Sequence, residues 1–308
     1  MKQAIRISFL VTLVATALTE VAHAQSSGIE IFAGETLFDR GLRLSATHLY
    51  ERKGSIHEGS SRKHNDTDRL YEEHRAVIGV DYGLLPDLTL SALIPYVAIE
   101  QRTRIPGNTV RQRADGLGDI AALAKYRVYK HDWDQSTFNV SVLGGLEFPT
   151  GETDSRDGGM RLPPTLQVGS GSWDPIVAVA ATLSLGRFRY DAHALYKINT
   201  EGSQKYREGD FFFVEVDAKY RFWHTAYPGP TGSAKIGVQW RHEQRDELGG
   251  NRLDNTGSNE LALRPGLGFH PIPQMDISLS VDIPVYQHAR GRQLVRDLRT
   301  FIAVGMRF

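Results

Sequence analysis

The stretch FFFVEVDAKYRF at residues 211–222 decides the fold, because apolar and charged side chains alternate along it from Val214 onward. Every second residue from Phe212 to Phe222 is apolar, and the positions between them from 215 to 221 carry charges. A β-strand places successive side chains on opposite faces of its sheet. The stretch therefore predicts a strand with one apolar face and one charged face.

The same alternation recurs along most of the chain and predicts about twelve strands. They lie near residues 42–52, 69–82, 88–97, 117–129, 137–149, 173–185, 187–199, 210–222, 233–245, 259–269, 274–286 and 297–308. Short turns alternate with long polar segments, of which the longest are 53–66, 101–116 and 150–171. This alternation is typical of an up-and-down sheet with its short turns in the periplasm and its long loops outside.

Alternation alone does not distinguish a soluble β-sandwich from an outer-membrane barrel. A sandwich buries its apolar faces, whereas an outer-membrane barrel turns them to lipid and lines its lumen with polar side chains. Two features favour the barrel: the apolar faces carry no charge through their middle, and aromatic residues lie at both ends of them, as two interfacial girdles require. The candidate girdle residues are Tyr96, Tyr126, Phe138, Phe148, Tyr190, Tyr196, Tyr220 and Phe308. We therefore predict an all-β fold, a transmembrane up-and-down antiparallel β-barrel over residues 42–308.

The C-terminal residue is a third feature. Phe308 follows the alternating residues Ile302, Val304 and Met306. A terminal phenylalanine in this setting resembles the assembly signal of bacterial outer-membrane barrels. We expect outer-membrane lipid and, through Phe308, the barrel assembly machinery to be partners of the chain.

The N-terminus has the pattern of a secretory signal peptide over residues 1–24. Lys2 and Arg6 precede the twelve-residue apolar core ISFLVTLVATAL, and Ala22-His23-Ala24 is an A-x-A cleavage site. The core is too short to cross a bilayer as a helix, so a membrane anchor is the weaker alternative. We expect cleavage near Ala24, export to the outer membrane, and a mature N-terminal segment, residues 25–41, that is a candidate partial plug of the lumen.

The charge balance excludes one class of partner. The chain has 36 basic and 36 acidic residues and no cysteine. A neutral total gives no net field that attracts nucleic acid, so we expect none as a partner.

The polar faces of the strands supply the candidate lumen lining. These residues are Lys125, Arg127, Arg189, Asp191, His193, Glu215, Asp217, Lys219 and Arg221. The four-residue sequence AKYR occurs twice, at 124–127 and 218–221, each time near the predicted periplasmic end of a strand. We expect its four cations to ring the lower lumen and favour anions. The alternative is that they pair with nearby acids such as Asp119 and only fill the barrel.

Small residues between the long charged ones bear on whether a solute can pass. Ser141 and Gly237 are two examples on the predicted inner face. Twelve strands lie between the eight that side chains fill and the sixteen or more that leave an aqueous channel. We expect the small residues to leave a narrow path.

Four short motifs together resemble the outer-membrane family named for the meta-pathway of phenol degradation. They are GLGDIAALAKYR at 116–127, FPTG at 148–151, LQVGSGSWDP at 166–175 and KYREGDFFFVEVDAKYRF at 205–222. The resemblance implies a transporter-like barrel associated with the breakdown of aromatic compounds. It implies no particular binding residues.

We expect a channel for passive passage of small molecules, with aromatic or anionic compounds as candidate solutes. The alternatives are a plugged structural barrel and, less favoured, a barrel enzyme acting on lipid. His193 beside Asp191 is the best candidate for catalysis, but no hydrolase, zinc-protease or P-loop motif is present. We expect no catalytic residues and no cofactor. The acidic residues Glu152, Asp154 and Asp157 are a weak alternative site for a divalent cation, and we expect no metal.

Overall fold

The alternating segments form strands in the computed structural model, which describes residues 32–308. The predicted signal peptide and residues 25–31 lie outside the described residues. The strands are β1 (Leu42–Gly59), β2 (Ser61–Lys63), β3 (Leu70–Leu85), β4 (Leu88–Ile105), β5 (Asn108–Leu117), β6 (Ile120–Trp133), β7 (Ser136–Phe148), β8 (Arg156–Asp157), β9 (Met160–Arg161), β10 (Asp174–Leu185), β11 (Phe188–Lys197), β12 (Tyr206–Arg207), β13 (Phe211–His224), β14 (Thr231–Glu243), β15 (Glu247–Leu248), β16 (Asn251–Arg252), β17 (Ser258–His270) and β18 (Met275–Arg307). Two short 3-10 helices cover Pro164–Leu166 and Ser203–Lys205.

The wall of the barrel closes between its last and first strands. The order of hydrogen-bonded neighbours is β18, β17, β14, β13, β11, β10, β7, β6, β4, β3 and β1, and β18 also pairs with β1. β2 and β5 lie outside this ring and pair with β1 and β4. Every pairing in the ring is antiparallel, which confirms the predicted up-and-down barrel.

β18 crosses the barrel twice. Its residues 277–289 pair with β17, and its residues 289–307 pair with β1. The chain reverses near Gly291, whose φ of 75° suits glycine. The N–H of Arg307 donates to the carbonyl of Gln274 at 2.9 Å, so the two ends of the element meet. The eleven elements of the ring therefore give the twelve crossings that the sequence predicts.

All three segments predicted as long loops have more structure than expected. In the first, residues 53–66, β1 continues to Gly59 and pairs with β2. β4 continues to Ile105 and pairs with β5 along its length, so residues 101–116 form a β-hairpin. The segment 150–171 folds back instead, and its residues Leu162 and Leu166 pack with Val97 and Ile99 of the inner face of β4. Burial of these apolar side chains holds the segment in the mouth of the barrel.

The two faces of the wall have the polarity of an outer-membrane barrel. Val179 and Leu279 are each 45% exposed on the outer face, whereas Arg264 and Asp282 are fully buried on the inner face. A soluble protein shows the opposite arrangement. Among residues 32–308, no helix is long and apolar enough to cross a membrane.

The eight candidate girdle aromatics lie on the outer face. Tyr96, Tyr126, Tyr190, Tyr220 and Phe308 are exposed, and Phe138, Phe148 and Tyr196 are half-buried. Some of them contact aromatic rings of neighbouring chain segments: Phe148 meets Trp173 edge to face and Tyr220 meets Phe188 in a tilted arrangement, with ring centroids 5.3 and 4.9 Å apart. Tyr96, Phe148 and Tyr196 lie toward the loop end of the barrel, and the other five lie toward the turn end.

Candidate functional site

Residues 32–38 enter the barrel and lie across its lumen; we call this segment the plug. Phe32, Ala33 and Leu37 are at most 2% exposed. The ring of Phe32 stacks on His193 with centroids 5.7 Å apart. These three side chains are therefore buried by the wall, and Phe32 packs in an apolar cluster of the inner face that includes Leu123 and Phe213, whereas Phe38 is exposed.

The plug is held by hydrogen bonds to side chains of the wall. The N–H of Gly34 donates to Thr182 Oγ1 at 3.0 Å, and Ser141 Oγ donates to the Gly34 carbonyl at 2.7 Å. The N–H of Leu37 donates to Thr89 Oγ1 at 2.8 Å. These contacts satisfy backbone groups that would otherwise be buried without partners.

Gly34 is the position where the plug lies closest to the wall. A Cβ atom added there would lie 2.4 Å from the carbonyl oxygen of Asn139 and 2.7 Å from the amide nitrogen of Thr182. These two residues face each other in the ladder between β7 and β10. Only glycine fits this approach, because strand backbone cannot move aside without breaking the ladder.

The plug also carries one carboxylate that faces a cation. Arg189 Nη1 donates to Glu35 Oε2 at 2.7 Å, and Arg189 Nε donates to Asp191 Oδ2 at 2.7 Å. Thr182 Oγ1 donates to the other oxygen of Asp191. A single network of side chains thus joins Glu35 and Gly34 of the plug to the wall.

A buried cluster of charges fills the other side of the lumen. Arg264 donates to Glu215 at 2.7 Å and to Asp282, and all three side chains are fully buried. Glu51 accepts from Arg296 at 2.9 Å and also from Arg299. These paired charges pack the lumen as apolar side chains pack a soluble core.

The expected open path between small residues is wrong. Ser141 does not face open space, because it holds the carbonyl of Gly34. Gly237 lies against the side chains of Asp217, Glu215 and Arg264, all within 3.4 Å of a Cβ added there. Long charged side chains and the plug occupy the room that the small residues leave.

Two chambers lie on either side of this packed middle. The lower chamber, at the end of the short turns, has a volume of about 670 Å³. The upper chamber, at the end of the long loops, has a volume of about 460 Å³. In outer-membrane barrels the short turns face the periplasm, so we expect the lower chamber to open on that side.

The two chambers differ in charge. Seven Lys and Arg side chains line the lower chamber against two carboxylates, Glu35 and Asp132. Six basic and five acidic side chains line the upper chamber, so its charges nearly cancel. Burial raises the pKa of Glu208 in the upper chamber to about 7, and the carboxylates of Asp246 and Asp174 add to the shift.

The structure separates the candidate lumen residues into three groups. Arg127, Arg189, Lys219 and Arg221 line the lower chamber. Asp191, His193, Glu215 and Asp217 are buried in the packed middle. Lys125 does not lie at the lower mouth of the lumen, where the repeated AKYR sequence predicts it. Its ammonium group instead donates to the carbonyl of Ala33 in the plug at 3.3 Å.

Sequence reasoning missed other cations of the lower chamber. Arg187 lies in a short turn, and Arg307 lies one residue before the C-terminus. Both lie at the ends of the predicted strands 187–199 and 297–308, on the face opposite the apolar residues, but neither belongs to the repeated AKYR sequence on which the predicted ring of cations relied. The polar faces of these strand ends were the available signal, since they meet at the turn end of the barrel.

The acidic loop residues are engaged within their own surroundings. Asp154 pairs with Arg156 and Arg161 at 3.2 Å each, and Asp157 accepts from the N–H of Arg113 at 2.9 Å. In the described part of the chain, no group of three or more His, Asp and Glu side chains is arranged to hold a metal ion.

Three of the four sequence motifs meet at one point of the wall. Asp119 accepts from the N–H of Gly151 at 2.8 Å and from the N–H and hydroxyl of Ser170 at 2.6 and 2.7 Å. Gly151 and Gly169 face each other so closely that a Cβ on Gly151 would lie 2.6 Å from the Cα of Gly169. The three motifs therefore hold both ends of the segment 150–171, which folds into the mouth of the barrel, against the wall.

Comparisons with known proteins agree with this architecture. The family described as "putative MetA-pathway of phenol degradation" matches residues 64–294, which confirms the resemblance seen in the motifs. No curated protein matches the chain. An outer-membrane channel from Pseudomonas putida F1 is similar with a TM-score of 0.66 and 15% identity, over 91% of this chain and 100% of that chain. The β domain of the Bordetella autotransporter BrkA has a TM-score of 0.49 and 11% identity, over 88% of this chain and 100% of that chain. The similarity to the Pseudomonas putida channel shows a shared fold.

Proposed function

We propose that this chain, which belongs to the family described as "putative MetA-pathway of phenol degradation", is an outer-membrane channel for the passive passage of small molecules. Its fold is that of an outer-membrane barrel, and the proposal places its uncharged outer face against outer-membrane lipid. The observation that carries the proposal is a pair of chambers on either side of a packed middle, part of which is formed by the plug, a segment outside the strands of the barrel. The proposal includes no catalytic step.

The way in which the plug is held supports its removal. It is held by side-chain contacts, among them hydrogen bonds with Thr182, Ser141 and Thr89 and the ion pair of Glu35 with Arg189, and it has no ladder of backbone hydrogen bonds to a strand. It belongs to no strand, since the first strand begins at Leu42. Each such bond contributes only about 1 kcal/mol net, so the plug can leave while the ladder of the barrel stays intact.

The charge of the lower chamber indicates which solutes pass. A mouth with an excess of five positive charges concentrates anions and repels small cations. Small anions, including carboxylated aromatic compounds, are therefore the favoured solutes. Aromatic compounds in general remain candidates because of the family's association with phenol degradation.

The plugged structural barrel is the competing function, and conductance separates the two. We expect a version lacking residues 26–38 to give a larger single-channel conductance in planar bilayers than the mature chain. Deletion of residues 107–109, at the tip of the β4–β5 hairpin, is the matched control, because it shortens the chain without touching the lumen. If neither the mature chain nor the version without the plug conducts, the channel is refuted and the structural barrel is favoured.

Ion selectivity tests the chemistry of the mouth. We expect Lys219→Glu with Arg221→Glu to shift the reversal potential of the plug-free version toward cation preference. Both side chains line the lower chamber without an ion pair among the described residues, so their reversal breaks no contact of the fold. An unchanged reversal potential would refute the assignment of solute preference to this chamber.

A further inference from the structure

We propose that the lower chamber is a binding site for small multivalent anions, and that Glu35 occupies part of this site in the closed state. A ligand with two or three carboxylate or phosphate groups then displaces Glu35 from Arg189 and loosens the plug. The inference rests on the proposed function and names its ligand class and its regulation.

The first support is a set of cations that the fold leaves without partners. Arg187, Lys219, Arg221 and Arg307 line the lower chamber, and none of them makes an ion pair within residues 32–308. The upper half of the barrel is different, because Arg75, Arg296 and Arg299 each face a glutamate. Ion pairing accounts for these three cations of the upper half, but it does not account for the four unpaired cations of the lower chamber.

Two buried donor atoms belong to residues that line the lower chamber. Arg189 Nη2 and Arg307 Nε are both shielded from solvent and have no hydrogen-bond partner. Buried N–H groups are nearly always paired, so a donor of this kind at a chamber wall is available to an acceptor that a solute supplies. Both residues line the lower chamber, where an anionic oxygen is the acceptor that guanidinium groups prefer.

Glu35 shows which chemistry the site accepts. Its carboxylate contacts Arg189 Nη1 at 2.7 Å, and its side chain is 22% exposed, so solutes in the chamber can reach the pair. A carboxylate of a ligand offers Arg189 the same bond. Because Glu35 supplies one negative charge, a multivalent anion that also contacts Lys219 and Arg221 binds the chamber more strongly than Glu35 does.

The chamber has room for such a ligand. Its volume of about 670 Å³ exceeds that of a substituted benzene ring, and Phe188 lies among its lining residues. Benzene-1,3,5-tricarboxylate is therefore a suitable probe, because its three carboxylates point in different directions from one rigid ring. Benzene-1,3,5-tricarboxamide has the same shape without the charge.

Calorimetric titration of the mature chain in neutral detergent at low salt tests the site. We expect the tricarboxylate to bind and the tricarboxamide not to bind. The Glu35→Gln variant removes the internal competitor and should bind about fivefold more tightly, whereas Lys219→Gln with Arg221→Gln should bind at least about tenfold more weakly. Glu152→Gln removes one carboxylate outside the lower chamber and is the matched control, with wild-type affinity expected.

Each outcome decides the inference. Equal affinity of the Glu35→Gln, Glu152→Gln and unmodified chains refutes the displacement of Glu35. Equal binding of the tricarboxylate and the tricarboxamide, or no binding of either, refutes the anion site. Conductance of the version without the plug needs no ligand, so it can succeed while the titration fails, and the two failures are distinguishable.

Discussion

Replacing Gly34 by alanine tests the plug more directly than its deletion does, because it adds one methyl group and leaves every other atom of the chain unchanged. The new Cβ would lie 2.4 Å from the Asn139 carbonyl oxygen and 2.7 Å from the Thr182 nitrogen. Both atoms belong to paired strands, so the plug has to move rather than the wall.

The magnitude follows from the bonds that the movement breaks. Gly34 makes two hydrogen bonds, one to Thr182 and one from Ser141. At about 1 kcal/mol each, their loss costs the closed state about 2 kcal/mol. Since 1.4 kcal/mol is a factor of ten, the ratio of open to closed channels should rise about 30-fold. The overlap of the methyl group adds to this figure.

The assay is the open probability of single channels in planar bilayers at neutral pH. Gly144→Ala is the matched control, because a Cβ at Gly144 meets no atom within 4 Å. Both variants should show the same fraction of folded barrel on unboiled gels. An unchanged open probability in folded Gly34→Ala would refute the assignment of residues 32–38 as the closing element.

Further expectations follow from other parts of the barrel. Leu279→Arg should lower the free energy of unfolding by about 2–4 kcal/mol if the outer face meets the bilayer midplane, and urea titration in liposomes that shows no change would contradict that placement. Asp282→Ala leaves Arg264 with one carboxylate fewer in a fully buried site and should cost about 3–5 kcal/mol in the same titration; a cost below about 1 kcal/mol would show that water replaces the lost partner. Because the pKa of Glu208 is raised to about 7, this carboxyl is neutral below that pH and charged above it, so anion preference of the plug-free channel should fall as pH rises from 6 to 8, and Glu208→Gln should remove most of that change; a retained pH dependence would assign it to another group. Deleting Phe308, which closes the barrel through two backbone hydrogen bonds to Leu42, should leave more chain in the periplasm, whereas Phe308→Tyr should be nearly silent; equal insertion of both would argue against recognition of Phe308 by the assembly machinery.

The sequence by itself determined the wall of the barrel. A strand has a side-chain period of two, so alternation along residues 211–222 sets which face is apolar wherever the strand lies. Twelve such segments with short turns between alternate pairs leave few antiparallel arrangements, and lipid permits only a closed one. The aromatic residues at the ends of the outer face, such as Tyr96 and Tyr190, follow from the same local pattern.

The extended hairpin of β4 and β5 was missed for a local reason. Polar residues such as Arg111 and Gln112 give no apolar face, so residues 101–116 have the composition of a loop. Pairing with β4 supplies the missing stabilisation, since each residue of β5 finds a backbone partner across the ladder. Backbone hydrogen bonding of this kind leaves little trace in side-chain composition.

The contents of the lumen were decided only by the tertiary structure. The two copies of AKYR show this most clearly, because the same four residues give Lys125 and Lys219 the same local surroundings in sequence. The plug passes beside β6, so Lys125 is buried against the carbonyl of Ala33, whereas Lys219 on β13 faces the open lower chamber. Local pattern fixes the face on which a side chain lies. What that side chain meets depends on which distant segments the fold brings to the same height. Arg264 shows this as well, since its partner Glu215 lies 49 positions away, two strands along the sheet.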